Sequence, residues 1–417
     1  MNKSLVHEWR RFVKSGELDK IAKDAGFGER KRKLTPRRVF WGMVMGFGSV
    51  NKRSLAGLAR FTGMISGFSL SRQALHQRLT VQAADFFRRC FNRLSRRASR
   101  LTGESLPGPL SSFEDLLLLD ASVVGLSRRL AKVYPACRTN SRKAALKVHG
   151  LMSLSEQQVR KVSITGERVG DGKVFRAGKW MKDRLLIFDL AYLDYGFLGE
   201  IVGWGGAYAC RLKSTSNGII VRVRRGCAPK SVGGELNRPI FRGPVVDVDV
   251  RFGRGEKCVT SRVVAIWDGK RQDYHWYTTS LDPEVFSPEE VSEIYRLRWQ
   301  IELLFKEWKS LQRLGDLPSG DASIVHCLLY ATLCASVLSR MALWLSCRRY
   351  HLPWFEMSTP IAVTVFSVFA FGLSRAALKG RSKGLLSVLD SLVDSLAVHA
   401  HRPNNTNAIM SFAGTGG

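Results

Sequence analysis

Apolar residues recur every three or four positions near the start of the chain, which is the pattern of amphipathic helices. Three segments show it, Leu5–Val13, Leu18–Ala25 and Pro36–Phe47, and the breaks GFGERKRK and GFGS follow the second and third of them. Many of the intervening polar positions are Lys or Arg. Residues 1–105 are therefore predicted to form a helical, basic domain.

Two further short helices are predicted in the segments SLAGLARFTG and SLSRQALHQRLT. The hydroxyl of Ser69 or Ser71 can cap the second helix by accepting a hydrogen bond from its first turn. The pair resembles a helix-turn-helix, whose second helix reads DNA, so Arg72 and Arg78 are candidate DNA contacts. Because short helix pairs are common, an ordinary packed pair is an equally good interpretation.

Between residues 110 and 213 the apolar positions form short continuous runs, as in strands that are buried on both faces. Strands are predicted in DLLLLDASVVGL, AALKVHGLMSL, VRKVSITGERV and RLLIFDLAYLDYGFL. A short helix is predicted in KVFRAGKWMK, and EIVGWGGAYACRLKS is predicted to run from helix into strand. This order predicts the first part of an α/β core.

Residues 214–272 cluster or alternate apolar positions between Gly-rich turns, which predicts a mainly β insertion within the core. Its basic residues Arg222, Arg224 and Arg225 are candidates for lining a DNA channel. The chain then returns to the core, and residues 273–318 are predicted to form the second part of it.

The segment Ser287–Leu314 is predicted to be a single helix that begins with an S-x-x-E capping box. At about 100° per residue, Tyr295, Arg298, Glu302 and Lys309 share a stripe roughly 60° wide. Charge pattern alone favours a solvated face with helix-stabilising ion pairs. The alternative is that this polar stripe carries the chemistry of the protein.

Residues 319–417 are predicted to form a helical domain with two strongly apolar runs, 327–338 and 361–374. Each run is shorter than the roughly 20 residues that a membrane-spanning helix needs. Buried core helices, or helices at a dimer interface, are therefore the favoured interpretation, and no membrane association is expected.

The charge balance points to a polyanionic partner. The chain of 417 residues has 65 Lys and Arg against 35 Asp and Glu, a net charge of +30. Such a field favours nucleic acid over an anionic membrane or an acidic protein. The eight cysteines are scattered without zinc-ligand spacing and no secretory apolar core begins the chain, so a cytoplasmic, nucleoid-associated protein is expected.

Two carboxylates sit inside apolar runs, where a charge is costly unless it is paired or binds a metal. They are Asp120 in LLLLDAS and Asp189 in LLIFDLA. Asp115 and Asp194 are rivals, but the apolar approach to the first pair places it at strand ends. Strand-end aspartates also cap turns, so the pair gains weight only together with Glu302. Three such oxygen donors suit Mg²⁺ or Mn²⁺.

The order Tyr295, two residues, Arg298, three residues, Glu302, six residues, Lys309 reproduces the signature of DDE transposases encoded by bacterial insertion sequences. The surrounding YRLRWQIELLFKEWK resembles that family as well. The resemblance implies an RNase H-like catalytic core interrupted by a mainly β insertion, with helical N-terminal and C-terminal domains.

The resemblance also implies which residues do the chemistry. Asp120, Asp189 and Glu302 would hold two Mg²⁺ ions, with Mn²⁺ able to substitute. The family often has Arg-Gly-Tyr after the second aspartate, whereas this chain has Leu-Ala-Tyr, which keeps Asp194 as a rival. His149, in the strand beside the site, has no metal-binding role in this scheme.

Contacts to DNA are implied for the rest of the signature. Arg298 and Lys309 would bind phosphates near the cut, and Tyr295 would donate a hydrogen bond to the DNA backbone. Trp276 matches the family tryptophan that stacks on a flipped base, although an ordinary core aromatic is an equal alternative. Trp299 could touch DNA, but packing is favoured.

The implied function is cut-and-paste transposition. Such an enzyme binds the terminal inverted repeats of its element, cleaves the ends by metal-dependent hydrolysis and transesterification, and joins them to target DNA. Because two ends must be held together, a homodimer on double-stranded DNA is expected. The alternatives are an RNase H-like structure-specific nuclease and a basic DNA-binding protein without catalysis.

Overall fold

The centre of the protein is a mixed β-sheet of nine strands, flanked by helices. The computed structural model describes residues 15–28, 33–47, 54–100, 102–137, 142–236, 240–253, 258–315, 317–380 and 382–401. The strands are β1 (Asp115–Gly125), β2 (Ala145–Ser153), β3 (Gln158–Gly166), β4 (Arg184–Phe188), β5 (Ala207–Arg211), β6 (Ile219–Arg225), β7 (Val245–Phe252), β8 (Val259–Asp268) and β9 (Asp273–Thr279).

The described helices lie before, between and after these strands. They are α1 (Ser15–Asp24), α2 (Pro36–Met45), α3 (Leu55–Ser66), α4 (Arg72–His76), α5 (Val81–Ala98), α6 (Tyr195–Gly203), α7 (Pro288–Arg296), α8 (Trp299–Ser310), α9 (Ala322–Tyr350), α10 (Thr359–Lys379) and α11 (Ser382–His399). This confirms a mixed α/β fold with helices at both ends of the described chain. The predicted Leu5–Val13 helix lies outside the described residues.

The strand order is β3-β2-β1-β4-β5-β9-β8-β7-β6. β1 pairs in parallel with β4, and β4 with β5, while the other neighbouring pairs are antiparallel. Parallel strands are covered on both faces, which explains the continuous apolar runs in their sequences. Leu116–Leu119 and Leu185–Phe188 are at most 1% exposed. The centre of the sheet is thus fully buried within the core.

The predicted β insertion does not form a separate sheet. Its strands β6, β7 and β8 join the core through β9, which pairs with β5 on one side and β8 on the other. Val246, Val248 and Val250 are fully buried on β7 and pack with Trp276 of β9. The insertion therefore extends the core sheet, because its apolar face needs the returning strand to complete its packing.

Two local predictions were wrong. The segment KVFRAGKWMK does not form an α-helix but contributes to the short 3₁₀ turns Asp171–Lys173 and Lys179–Met181. The predicted single helix Ser287–Leu314 is two helices, α7 and α8, that meet at Leu297 and Arg298. There the backbone N–H groups donate to carbonyls three residues earlier, which tightens the turn. The periodic pattern continued through the junction and so did not reveal it.

The helices of the two ends share one core with the sheet. α9 packs along α5, and Ser95 of α5 donates its hydroxyl to the Val159 carbonyl of β3. Of the described helices, α9 and α10 are long and apolar enough to cross a membrane, but 83% of the most apolar stretch of α9 is buried inside the protein, against 39% for α10. The first apolar run is therefore a core helix, as the sequence favoured.

A buried ion pair fixes α8 against α9. Arg340 donates to Glu307 at 2.9 Å and to the Gln157 carbonyl at 2.8 Å. Glu307 is 2% exposed and Arg340 is 4% exposed. Nearby, Trp308 donates its indole N–H to Ser336 at 2.9 Å. These contacts set the position of α8 relative to the sheet, and α8 carries two of the predicted site residues, Glu302 and Lys309.

Replacing Arg340 with methionine should destabilise the protein strongly, because Glu307 would be left as an unpaired buried charge. The expected loss is about 3–5 kcal/mol of unfolding free energy in urea denaturation. Arg349→Met is a matched control on the same helix, since Arg349 pairs with the partly exposed Asp390. It should cost about 1 kcal/mol or less. Equal losses in the two variants would show that the buried pair does not anchor α8.

Candidate active site

Strand pairing brings the two predicted aspartates together. Leu119 of β1 lies beside Phe188 of β4 in parallel register, so Asp120 and Asp189 follow at the same edge of the sheet. Asp120 continues β1, whereas Asp189 is the first residue after β4. The approach of both residues through buried apolar strands is what made them recognisable in the sequence.

Helix α8 brings the third acid over this edge. Gly150 of β2 pairs with Asp120, and Ile301 and Phe305 of α8 pack against it closely. A side chain at Gly150 would lie 3.3 Å from the Phe305 ring, so glycine permits the close approach of the helix. Glu302 follows Ile301 and is joined to Asp120 through Arg298. Asp120 lies within β1, which continues to Gly125, and not at a strand end as predicted.

Arg298 joins the acids into one network. Its Nη1 donates to Asp120 Oδ2 at 2.9 Å, and its Nη2 donates to Glu302 Oε1. Its Nε donates to the Tyr295 hydroxyl at 3.1 Å, and that hydroxyl donates to Asp189 Oδ1 at 3.2 Å. One guanidinium thus contacts two of the three carboxylates directly and the third through Tyr295.

The junction between α7 and α8 contributes to this arrangement. Tyr295 lies in the last turn of α7, Arg298 at the junction and Glu302 in the first turn of α8. The tightened turn keeps the three side chains together although the helix is interrupted. The predicted polar stripe is therefore present over these residues, but it points into the protein instead of forming a solvated face.

Burial raises the pKa of Asp120 to about 6. The Ala121 N–H, which donates to this carboxylate at 2.7 Å, and the Arg298 charge oppose the shift, while Glu302 and Asp189 add to it. Burial lowers the pKa of Arg298, but Tyr295, Asp120 and Glu302 together raise it by more. The net shift of the Arg298 pKa is therefore upward. The three acids thus form a site that favours a cation.

The donor set fits a hard divalent cation by type, since all three acids offer carboxylate oxygens. The Asp120 and Glu302 side chains are 18% and 31% exposed, so the site is accessible from solvent. Across the described part of the chain, no three Asp, Glu, His or Cys residues are grouped closely enough to hold a metal as they stand. Here the Arg298 guanidinium occupies the space between two of the acids.

The rival aspartates have structural roles. Asp194 caps α6 by accepting the Phe197 N–H at 3.0 Å. Asp115, which is 1% exposed, pairs with Arg160 at 3.2 Å and accepts the Ser155 N–H at 3.2 Å. Both contacts lie away from the Arg298 network, which leaves Asp120 and Asp189 as the candidate ligands.

His149 lies on β2 opposite Ala121 and is fully buried. Its ring nitrogens are 2.8 Å from the Thr165 hydroxyl and 3.2 Å from the Tyr192 hydroxyl. Burial lowers the pKa of His149 to about 4, although the nearby Asp171 raises it. The imidazole is therefore neutral near pH 7 and packs behind the carboxylate edge.

Several predicted DNA contacts are used for internal packing. Trp276 is 2% exposed and its ring centre lies 4.8 Å from that of Phe241, as in a core aromatic, and its predicted contact with a DNA base stays a prediction. Arg78 lies over the Phe27 ring at 4.7 Å, since the guanidinium completes the packing of that aromatic. Arg224 is likewise held by Asp249 of the next strand at 2.8 Å.

The remaining predicted contacts reach the surface. Arg72 is exposed and begins α4, a helix of five residues that Ser71 caps. Lys309 lies at the surface in the last turn of α8. Partial desolvation of its ammonium, together with the Arg142 charge, lowers the pKa of Lys309. The predicted DNA-binding role of these two residues stays a prediction, as does the reading role of α3 and α4.

Trp299 is the residue that sequence reasoning placed wrongly. It was expected to pack, but it is 58% exposed and directly follows Arg298. Leu303, one turn further along α8, is 36% exposed. On a helical wheel Trp299 lies next to the polar stripe, and this position could have shown that Trp299 borders the site.

Comparisons with known proteins point to one family. The family described as Transposase DDE domain matches residues 111–338, just over half of the 417 residues. The chain is 23% identical over 384 residues to the transposase for insertion sequence element IS1151 of Clostridium perfringens, covering 81% of each chain. It is 23% identical over 372 residues to the transposase for element IS231C of Bacillus thuringiensis subsp. berliner, covering 78% of this chain and 77% of that one.

One solved structure is also similar. It is a cryo-EM structure of the piggyBac transposase synaptic complex with hairpin DNA, with a TM-score of 0.42 and 12% identity. The match covers 93% of this chain and 79% of that chain.

The buried His149 predicts that stability falls in mild acid. Because its pKa is about 4 in the folded protein and about 6.5 when unfolded, the unfolded chain binds more protons between these pH values. The contribution of His149 to the unfolding free energy should therefore be fully present above about pH 6.5 and decrease as pH falls, by roughly 2 kcal/mol at pH 5. The raised pKa of Asp120 acts in the opposite direction, so the His149 contribution is the difference between wild type and His149→Gln. Urea denaturation from pH 5 to 8 measures this dependence.

His149→Gln should remove the acid-induced loss and leave a protein that is relatively more stable at pH 5 than wild type is, whereas His76→Gln, which changes an exposed histidine of α4, should keep the wild-type profile. A His149→Gln profile as steep as that of wild type would assign the acid sensitivity to other groups.

Proposed function

This chain belongs to the DDE transposases of bacterial insertion sequences, and from that premise we propose that Asp120, Asp189 and Glu302 are its catalytic metal ligands. The observation that supports the proposal most is the convergence of all three acids on Arg298 and Tyr295. The DNA transposase function fits the net charge of +30. The acids come from β1, the end of β4 and α8, elements that only the fold brings together.

Two Mg²⁺ ions, or Mn²⁺ in their place, would polarise the scissile phosphate and stabilise the leaving oxygen at this site. In the first reaction a water oxygen attacks phosphorus at the element end and the P–O3′ bond breaks, which frees a 3′-hydroxyl. In the later transfer the oxygen of that 3′-hydroxyl attacks phosphorus of a target phosphodiester, whose own P–O3′ bond breaks and leaves a 3′-hydroxyl on the target strand. Asp120, Asp189 and Glu302 would hold the ions in place through their carboxylate oxygens. None of them therefore has to serve as a dedicated base.

Arg298 is proposed to have two roles. It neutralises Asp120 and Glu302 in the protein alone, and its guanidinium is placed to bind a DNA phosphate once cations occupy the acids. A guanidinium has five N–H donors, so it can exchange carboxylate partners for phosphate oxygens without leaving the site. Lys309, about two helical turns after Glu302 on α8, is proposed to bind the neighbouring phosphate, and Tyr295 is proposed to orient Arg298.

Trp299 is proposed to contact DNA next to the cut. Its indole is 58% exposed beside Arg298, and an exposed aromatic can stack on an unpaired base. The buried Trp276 is better suited to supporting the sheet extension.

The larger organisation is also proposed. The order β3-β2-β1-β4-β5, with the first three strands antiparallel and the last two parallel to β1, supports an RNase H-like core. The exposed residues of α10, including Val368 at 77%, support a role of the C-terminal helices in a homodimer on DNA. Terminal inverted repeats and target DNA would be the substrates, in the cytoplasm at the nucleoid.

Glu302→Gln should abolish divalent-metal-dependent cleavage of a labelled DNA that carries the end of the element, because the amide cannot replace the carboxylate as a ligand. DNA binding should persist, and the expected loss of rate is at least about a thousandfold. Asp189→Asn should behave in the same way. The matched control is Asp194→Asn, since asparagine also caps helices well, and this variant should cleave like wild type.

Cleavage by the Glu302→Gln protein would contradict the assignment. Cleavage of branched DNA without preference for the element end would instead favour the structure-specific nuclease. If wild type binds the end but does not cut in Mg²⁺ or Mn²⁺, a DNA-binding protein without catalysis is the better interpretation.

Arg298→Gln should destabilise the metal-free protein, because three carboxylates would lose their shared cation. The expected loss is roughly 2–3 kcal/mol, less than for a fully buried pair since the Arg298 side chain is 15% exposed. Mn²⁺ should restore more thermal stability to this variant than to wild type. Arg296→Gln, which removes an exposed cation two residues earlier, should change neither quantity. Equal Mn²⁺ effects in all three proteins would argue against metal binding by these acids.

A further inference from the structure

A wide basic cleft lies between α1 and α5, on the part of the protein that precedes the sheet. Its volume is about 720 Å³. Six of its lining residues are cations, and two, Glu17 and Asp24, are carboxylates. The cations are Lys20, Arg88, Arg89, Arg93, Arg96 and Arg97. The α1–α5 cleft therefore carries a local excess of positive charge.

Helical spacing explains why the arginines form a row. Along α5, Arg89, Arg93 and Arg96 fall within roughly 60° of one another. The opposite face carries aromatic residues such as Phe87 and Phe91, which are at most 1% exposed in the core. Burial of that apolar face fixes the rotation of α5 and turns the row of arginines toward the cleft.

The carboxylates nearby neutralise only part of this charge. Glu17 contacts Arg93 at 2.8 Å and Arg97 at 2.6 Å. Arg89 pairs with Asp85, also on α5. Arg96 donates to a main-chain carbonyl of its own helix, and among the described residues no carboxylate pairs with it.

We propose that the α1–α5 cleft binds the phosphate backbone of double-stranded DNA, as a sequence-independent docking site apart from the catalytic acids. Its exposed guanidiniums form a row over about two helical turns, and each has donors left for phosphate oxygens. α5 packs on β3, the outer strand of the sheet, two strands away from β1. The proposal rests on the proposed function only in taking DNA as the substrate.

The cleft also offers a better-supported DNA surface than the helix pair predicted from the sequence. α4 has five residues, and Arg78 after it is held over Phe27. The exposed side chains of Arg89, Arg93 and Arg96 lie instead along a helix of 18 residues. Backbone contacts of this kind position DNA and carry no base information.

The test compares two double variants that remove the same charge. In Arg89→Gln/Arg96→Gln, affinity for a labelled duplex of arbitrary sequence should fall by about tenfold or more near physiological salt, measured by fluorescence anisotropy. The slope of log affinity against log salt should become less steep by roughly 1–2. Lys270→Gln/Arg271→Gln changes exposed residues of the β8–β9 turn and should lower affinity by less than about twofold.

Two further measurements keep the outcomes distinct. Equal melting temperatures would show that both variants fold as wild type does. At saturating DNA, Arg89→Gln/Arg96→Gln should still cleave in Mn²⁺. Weaker DNA binding by the cleft variant can thus be told apart from an error in the assignment of the catalytic acids. Equal affinity losses in the two variants would show that the loss depends only on the net charge of the protein, and would overturn the proposal. Wild-type affinity and salt slope in the cleft variant would overturn it as well.

Discussion

The contacts of one guanidinium with a group of carboxylates are the constraint on which the candidate site depends. Asp120, Asp189 and Glu302 lie at a partly buried edge of the sheet, where like charges repel and desolvation is costly. Arg298 offsets both effects, directly for two acids and through Tyr295 for the third. The same arrangement suits the proposed exchange, in which the acids would accept metal ions and the Arg298 guanidinium would turn to a DNA phosphate.

The scaffold around this network is closely packed. Parallel pairing of β1 with β4 sets the two aspartates side by side, and Gly150 lets α8 approach them. The buried contact between Glu307 and Arg340 then fixes α8 from behind. Carboxylates that act through their position need such a scaffold, because the elements that carry them set the geometry of the site.

Positive charge is distributed over distinct surfaces. Arg298, Lys309 and the exposed Trp299 border the acids, whereas the arginines of α5 lie at the outer edge of the sheet. An enzyme that acts at one phosphodiester yet must hold a long duplex benefits from this separation. Contacts at a distance supply affinity through phosphates, and the local contacts align the bond to be broken.

The sequence by itself determined the family, the mixed α/β class and the candidate acids, because Tyr-Arg-Glu-Lys spacing and aspartates at the ends of apolar runs are local patterns. It also identified Ser71 and Ser287 as residues at which helices start, since capping depends on neighbouring residues. Only tertiary structure decided the break at Arg298, the burial of Trp276 and the exposure of Trp299. Those outcomes depend on which helix and strand faces pack together from distant parts of the chain. Apolar periodicity indicates that a face is buried, but it does not show which element covers it.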